Sequence, residues 1–216
     1  MRAVVHVNPS LSWQLRYGAA ITGSLSDFGI DARITNNPKE SDDLTVVLGP
    51  HWAKQHHGHH RCLYVDRAYW GDPGAVSFHW ISRGEKEFNW SGKGGRSHPP
   101  LSPLKTGNKT VVLCDYNTLF ELSGATVRRH PSEVKQSETL SECLARHQIA
   151  VGGRSTALVD AAIAGLRVVT NDDYSPVKPL SFSVNPDREH WIKSLSWHNW
   201  TFDEIERGEL WPHFLK

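Results

Sequence analysis

The feature that most constrains this chain is a set of short apolar runs that do not alternate with polar residues. They include AVVHV (3–7), LTVVLG (44–49), TVVLCDY (110–116), QIAVGG (148–153) and LRVVTN (166–171). A strand with one face in water alternates apolar and polar side chains. A continuous apolar run of this length belongs to a strand covered on both faces, as in parallel sheets flanked by helices. Helical segments fall between the runs. SWQLRYGAAITGSLSDFG (12–29) reads as a helix capped by Ser12 and stopped by Gly29, and STALVDAAIAG (155–165) as a second helix with a glycine stop. IDARIT, RCLYVD (61–66) and AVSFHWI (75–81) complete a first strand-rich half.

The pattern breaks once. SRGEKEFNWSGKGGRSHPPLSPLKTGNK (82–109) is rich in Gly, Pro, Ser and Lys, has no hydrophobic period, and reads as a linker. After it the alternation restarts: strand TVVLCDY, helix NTLFELSG, strand ATVRR, helix SETLSECLARH, strand QIAVGG, helix STALVDAAIAG and strand LRVVTN, closing with DREHWIKSLSWHNW and TFDEIERGELWPHFLK as terminal helices. The expected fold class is α/β, with two small Rossmann-like parallel-sheet domains, residues 1–95 and 96–216, facing across a cleft at the carboxyl ends of their strands.

Composition narrows the class. With 38% hydrophobic and 22% charged residues and a net charge of +1, the chain reads as an ordinary globular protein, not a disordered tail. Cys62, Cys114 and Cys143 are odd in number and set among apolar residues, so buried free thiols in a reducing compartment are expected, with the cytoplasm as the location. No run approaches the ~20 apolar residues of a membrane span. VHVNPS lacks the GxGxxG that would follow the first strand of a dinucleotide-binding dehydrogenase.

Two strand ends carry chemistry that packing does not require. ATVRRHP ends in Arg129, able to clamp an anion, His130, able to donate to one, and Pro131, which stiffens the loop. QIAVGGRST ends in Gly152 and Gly153, which let the backbone approach closely, then Arg154, Ser155 and Thr156 at a helix start, where the orphan N–H groups favour an anion. Ser155 or Thr156 can equally serve as a plain helix cap. Asp160 lies further along the same helix, either as a solvated face or as part of the site.

This pairing of an HP dipeptide after a strand with a Ser/Thr pair opening STALVDAAIAG resembles the C-terminal donor domain of GT-B glycosyltransferases, particularly bacterial sialyl-, polysialyl- and Kdo-transferase-like enzymes. The ending WHNWTFDEIERGELW is similar to that of short phage-type glycosyltransferase-like proteins. The resemblance implies that Arg129, His130, Gly153, Arg154, Ser155 and Thr156 hold the phosphate of a nucleotide-sugar donor and that Asp160 holds the ribose or orients the loop. Asp115, Tyr116 and Asn117 would border that site. It also implies metal-independent transfer without a cofactor, the nucleotide sugar being a co-substrate.

Glycosyl transfer to a hydroxyl needs a base for the acceptor proton. Asp66, just past a strand end in RCLYVDRAYWGD, is the expected base and His51 the second choice; an ion pair from Asp66 to Arg61 or Arg67 is the structural alternative. Tyr69, Trp70 and Trp90 are candidate acceptor-side rings. HHGHH (56–60) lacks the ligand spacing and nearby cysteines of a structural zinc site, so no metal is expected. The basic residues of 82–109, interleaved with Phe88 and Trp90, suggest a nucleic-acid acceptor such as a hydroxymethylated base, as in phage DNA modification. A surface glycan explains the tryptophans equally well. A non-catalytic nucleotide or sugar-phosphate binding protein is the competing class, along with an epimerase or phosphatase.

Overall fold

The computed structural model describes residues 1–50, 61–71, 74–82, 85–91, 96–115 and 121–215. His51, the HHGHH loop, Tyr116 and Asn117 lie outside the described residues, as does the first half of the expected helix NTLFELSG. The chain begins with β1 (Arg2–His6), α1 (Ser12–Asp27), β2 (Asp31–Thr35), β3 (Leu44–Leu48), β4 (Cys62–Arg67), β5 (Val76–Ser82) and β6 (Glu85–Lys86). It continues with β7 (Thr110–Leu113), β8 (Thr126–Arg128), α2 (Leu140–Ala145), β9 (Ile149–Gly152), α3 (Ala157–Ile163) and β10 (Arg167–Val169). A 3-10 turn (Lys178–Leu180), α4 (Arg188–Ser196), β11 (Asn199–Trp200), α5 (Phe202–Glu206) and α6 (Trp211–Phe214) complete it.

Two compact units result. The first is Met1–Phe88 with Trp197–Lys216, and the second is Asn89–Ser196. The last twenty residues therefore leave the second half and return to the first, where the sequence reading had grouped 96–216 together. The reason is apolar area: Trp200, Ile205, Leu210, Trp211 and Phe214 are buried in one cluster with Val5, Ile21, Leu63 and Phe78. Burying an aromatic ring of this size contributes on the order of 2–3 kcal/mol. Two capping boxes fix local starts: Thr139 with Glu142 at α2, and Thr201 with Glu204 at α5.

In the first unit the sheet order is β11-β5-β4-β3-β1-β2, with β6 also paired to β5. β2, β1, β3 and β4 are parallel, and β3 is buried at every position. β5, β6 and β11 run antiparallel to their neighbours, so this sheet is mixed, unlike the all-parallel expectation. The connection from Arg67 to Val76 explains it, because a parallel crossover needs a dozen or more residues and this one is shorter. α1 covers one face through Tyr17, Ile21 and Leu25. Its stop is as expected: Gly29 takes φ +83° and Ile30 N–H closes on Leu25 C=O at 3.0 Å. Its start is not, since Leu11 is the N-cap and no side chain caps the helix.

In the second unit β8, β7, β9 and β10 lie side by side, all parallel. Numbered from the unit's first strand the order is 2-1-3-4. The chain leaves β7 to one side, then returns to its other side for β9, which makes the β7/β9 carboxyl ends the switch point where ligands of open α/β sheets bind. The presumed linker is not free. Ser102 N–H bonds Ile163 C=O and Lys105 N–H bonds Gly165 C=O, while Lys105 Nζ donates to the Leu144 and Ala145 carbonyls at 2.7 and 3.2 Å. Residues 96–105 thus satisfy the carbonyls at the carboxyl ends of α2 and α3. All three cysteines are free and buried, as expected. Among the described residues no helix is long and apolar enough to cross a membrane.

Trp211 is fully buried, and its indole N–H donates to Ser24 Oγ at 3.0 Å, tying α6 to α1. Replacing Trp211 with Ala is expected to cost about 3–5 kcal/mol in urea unfolding, whereas Trp13→Ala, at an exposed position, is expected to cost under about 1 kcal/mol. Equal effects would contradict the return of the terminus to the first unit.

Candidate functional site

The β7/β9 switch point opens into a cavity of about 280 Å³ lined by Leu113, Cys114, Asp115, Val151, Gly152, Gly153, Val169, Thr170, Asn171 and Phe182. Its floor is close packed. A β-carbon on Gly152 would stand 2.6 Å from Leu113 C=O, and one on Gly153 would stand 2.5 Å from Asp115 Oδ2. Only glycine lets the turn after β9 approach the end of β7 this closely. Asp115 Oδ2 accepts the Arg154 backbone N–H at 2.9 Å, so a carboxylate already occupies the glycine cradle that the sequence reading assigned to a phosphate.

The side chains around that carboxylate form a charged rim. Arg154 Nε donates to Asp172 Oδ2 at 2.6 Å, and its guanidinium lies 5.2 Å from the Tyr174 ring centroid. Thr170 Oγ1 donates to Gly153 C=O at 3.2 Å and accepts Asp172 N–H at 3.1 Å, linking the β9 and β10 ends. Burial pushes the Asp115 carboxyl above the usual range and the neighbouring Asp172 adds to this, while the Arg154 N–H, the Arg154 charge and the His130 charge act against it. His130 is therefore electrostatically coupled to Asp115 from the neighbouring strand end.

His130 sits at the entry of a turn in which its own carbonyl accepts Glu133 and Val134 N–H. Its Nδ1 accepts Ser132 N–H at 3.2 Å, which in the neutral ring puts the proton on Nε2. The rest of RRHP has local work. Arg128 Nη2 donates to Glu138 C=O at 3.2 Å, and Arg129 pairs with Glu133 at 3.4 Å with its side chain 48% exposed. Ser155 Oγ accepts Ala157 N–H at 3.3 Å, and the Thr156 side chain makes no capping bond. Asp160 lies within α3, half-buried, with no hydrogen bond or ion pair to its carboxylate among the described residues; burial pushes its pKa up to about 6.

The first unit places the other candidates. Asp66 Oδ2 accepts Lys86 Nζ at 3.0 Å and Oδ1 accepts its neighbour's N–H at 2.8 Å. Burial would raise its pKa, but Lys86, the Arg67 N–H and the Tyr64 hydroxyl outweigh it and hold the carboxyl below its usual range. The ion pair foreseen with Arg61 or Arg67 is thus made with Lys86, an address that periodicity does not reveal. Tyr69, read as an acceptor-side ring, is 5% exposed: its hydroxyl bonds His79 Nε2 at 3.1 Å and its ring packs on His79 and Phe88. Burial removes its ring from any surface role. His79 stacks on His198 at 4.4 Å, and burial, chiefly, lowers both imidazoles, His198 to about 4. Asn199 bonds both Tyr69 N–H and Trp70 C=O, fixing the β4–β5 turn and leaving Trp70 partly exposed. Trp90 belongs to the second unit, where its carbonyl accepts His190 Nε2 at 2.7 Å.

The sequence reading missed Thr170, Asn171 and Phe182 as lining residues. The end of LRVVTN offered a signal for the first two; PLSFSV offered none for Phe182. Among the described residues no three His, Cys, Asp or Glu side chains are grouped to hold a metal ion.

No protein-family model matches the chain, and no curated protein matches it by sequence. Among solved structures it is similar to KpsC of Thermosulfurimonas dismutans, a beta Kdo 2,7 transferase, with a TM-score of 0.54 and 9% identity over 97% of this chain and 99% of that one. The likeness is one of fold.

Gly152→Ala is expected to lower stability by about 1–3 kcal/mol, because the methyl meets a strand carbonyl, whereas Gly23→Ala, with open space around it in α1, is expected to raise stability by up to about 1 kcal/mol. Asp160 gives a pH signature. Its folded pKa of about 6 exceeds the ordinary 3.8, so the folded state binds more protons in between and stability falls as pH rises through that window. Asp160→Asn is expected to be more stable than the wild type by about 1–3 kcal/mol at pH 8, with the difference gone at pH 3.5, in urea titrations at the two pH values.

Proposed function

We propose that the chain is a glycosyltransferase that takes a nucleotide-sugar donor and passes the sugar to a hydroxyl acceptor. The observation that carries this reading is the switch-point cavity of the second unit, flanked by Arg154 and His130, in a chain whose fold resembles that of a sugar transferase along almost its whole length. The donor's phosphate is assigned to the groups that flank the cavity, His130 after β8 and Arg154, Ser155 and Thr156 after β9, where an imidazole N–H and a guanidinium stabilise the charge that develops on the leaving group. Arg129 lends long-range positive charge. Asp115 is assigned to hydroxyl groups of the donor, because a carboxylate accepts hydrogen bonds and repels phosphate. Asp160, from within α3, is assigned to the donor's ribose. This assignment uses side chains for charge stabilisation and calls for no metal ion.

The acceptor base is assigned to Asp66, with His51 second. Asp66 is ionised at neutral pH but held by Lys86, so a bound acceptor has to displace the ammonium before the carboxylate can take a proton. Trp70 and Trp90 are the rings left for stacking on an acceptor sugar. The basic segment supports DNA less than its composition suggested. Lys86 is paired to Asp66, Lys105 to two carbonyls, and Arg96 to Ser196 C=O at 3.2 Å. A glycan acceptor is accordingly preferred to a hydroxymethylated base, with phage-type DNA modification as the second arm of the test.

The test incubates the full chain with a panel of nucleotide sugars and either oligosaccharide or hydroxymethylated DNA acceptors, and measures nucleotide release with and without chelator. Turnover that persists in chelator is expected. His130→Ala should lower it by about 10²-fold or more, and Asp66→Asn by about 10²–10⁴-fold while nucleotide-induced thermal stabilisation is retained. Binding without any product would make the chain a nucleotide-binding protein, and full turnover in Asp66→Asn would remove Asp66 from the mechanism.

A further inference from the structure

Phe182 is the single non-glycine residue with positive φ among the described residues, at +61°, and it is 73% exposed. A bulky side chain in the left-handed region is strained, and an exposed ring gains nothing from burial to offset that strain. The position is nevertheless tightly determined. Ser181 Oγ accepts Thr170 N–H and donates to Thr170 C=O, both at 2.8 Å, clamping the residue before Phe182 to the end of β10. Leu180, one residue earlier, is buried at the end of the 3-10 turn. The clamp holds the ring at the boundary of two cavities. One is the switch-point cavity; the other, also about 280 Å³, is lined by Leu104, Leu166, Arg167, Val184 and Arg188 among others.

An exposed ring carried on a clamped backbone suits a flat partner. Asn171, on the same cavity wall, is exposed and makes no hydrogen bond among the described residues, so its amide offers a donor and an acceptor side by side. A π face with an adjacent donor–acceptor pair matches a nucleobase, which stacks on aromatic rings and carries donors and acceptors along its edge. The spacing agrees. Adjacent parallel strands lie roughly 5 Å apart, so from a base at the end of β10 the turn at Gly153 after β9 is one strand spacing away and His130 after β8 is three, roughly 15 Å, which leaves room for a ribose and a phosphate between them.

We infer that Phe182 is the stacking platform for the nucleobase of the donor, with Asn171 reading its edge. This rests on the nucleotide-sugar reading above. It gives the strained backbone a purpose, since the strain turns the ring outward to a ligand instead of inward to the core. It also sets an order along the sheet: base at β10, ribose hydroxyls over Asp115 and β9, phosphate toward β8.

The inference is tested by calorimetric titration of the full chain with a panel of nucleoside monophosphates and with inorganic pyrophosphate, a probe that has no base. Phe182→Ala and Phe182→Gly are expected to weaken nucleotide binding on the order of tenfold and to leave pyrophosphate binding unchanged, while Phe182→Tyr stays within about twofold of the wild type. Phe182→Gly, which relieves the positive φ, should unfold no earlier than the wild type, so that lost binding is not lost folding. Nucleotide binding unaltered in both ring-less variants would overturn the stacking role and leave the nucleotide-sugar reading standing. A wild-type chain that binds no nucleotide and no nucleotide sugar would overturn the reading itself.

Discussion

The site depends on one steric fact: the backbone after β9 lies against the end of β7 with no room for a β-carbon at Gly152 or Gly153. That contact brings Arg154 N–H onto the Asp115 carboxylate and lets Thr170 bond back to Gly153 C=O, so three strand ends are locked in one plane. The cavity is what remains above the lock. Its rigidity comes from backbone groups and short side chains, which lose little rotamer entropy on ordering. The longer side chains that flank it are held by ion pairs at the surface, whose individual stabilities are small.

Much of the fold was legible because apolar runs covered on both faces have few alternatives. β1, β3, β7, β9 and β10 all fall within the continuous runs, and the second sheet is parallel throughout, as their pattern requires. What the sequence hid was direction and partnership. AVSFHWI looks the same whether it runs parallel or antiparallel to RCLYVD, and only the short connection between them decides. The return of residues 197–216 was hidden for a similar reason, because a tryptophan-rich tail has no preferred partner until both cores exist. The segment 82–109 misled through composition, since within it Ser102 and Lys105 meet helix-end carbonyls through their backbone N–H groups and the Lys105 ammonium, contacts that Gly, Pro and Ser content does not reveal.

The site was legible to the level of strand ends and no further. RRHP and GGRST do lie at the carboxyl ends of two strands of one sheet, with β7 between them, but most of their side chains are engaged locally: Arg128 with Glu138, Arg129 with Glu133, Ser155 with the start of α3. A sequence shows which groups can bind an anion; it does not show which have been neutralised by a neighbour four residues on. Asp66 makes the same point. Expected just past a strand end, it lies within β4, one residue before the last, and its partner, Lys86, comes from a strand two positions later in the chain that no periodicity marks.

Asp115 gives the site its polarity. An ionised carboxylate in the glycine cradle opposes a phosphate there, so a nucleotide has to place its negative charge away from the β7/β9 junction. Hydrogen-bond donors lie to either side, His130 toward β8 and Arg154 toward β10, and Arg154 is already balanced by Asp172. Toward β8 the neutral ring of His130, with Nδ1 accepting Ser132 N–H, offers its Nε2–H as a donor. Burial raises the carboxyl of Asp115, and the neighbouring Asp172 adds to this. On the proposed reading, the carboxylate turns an anionic group away from the glycine cradle while the imidazole N–H receives it.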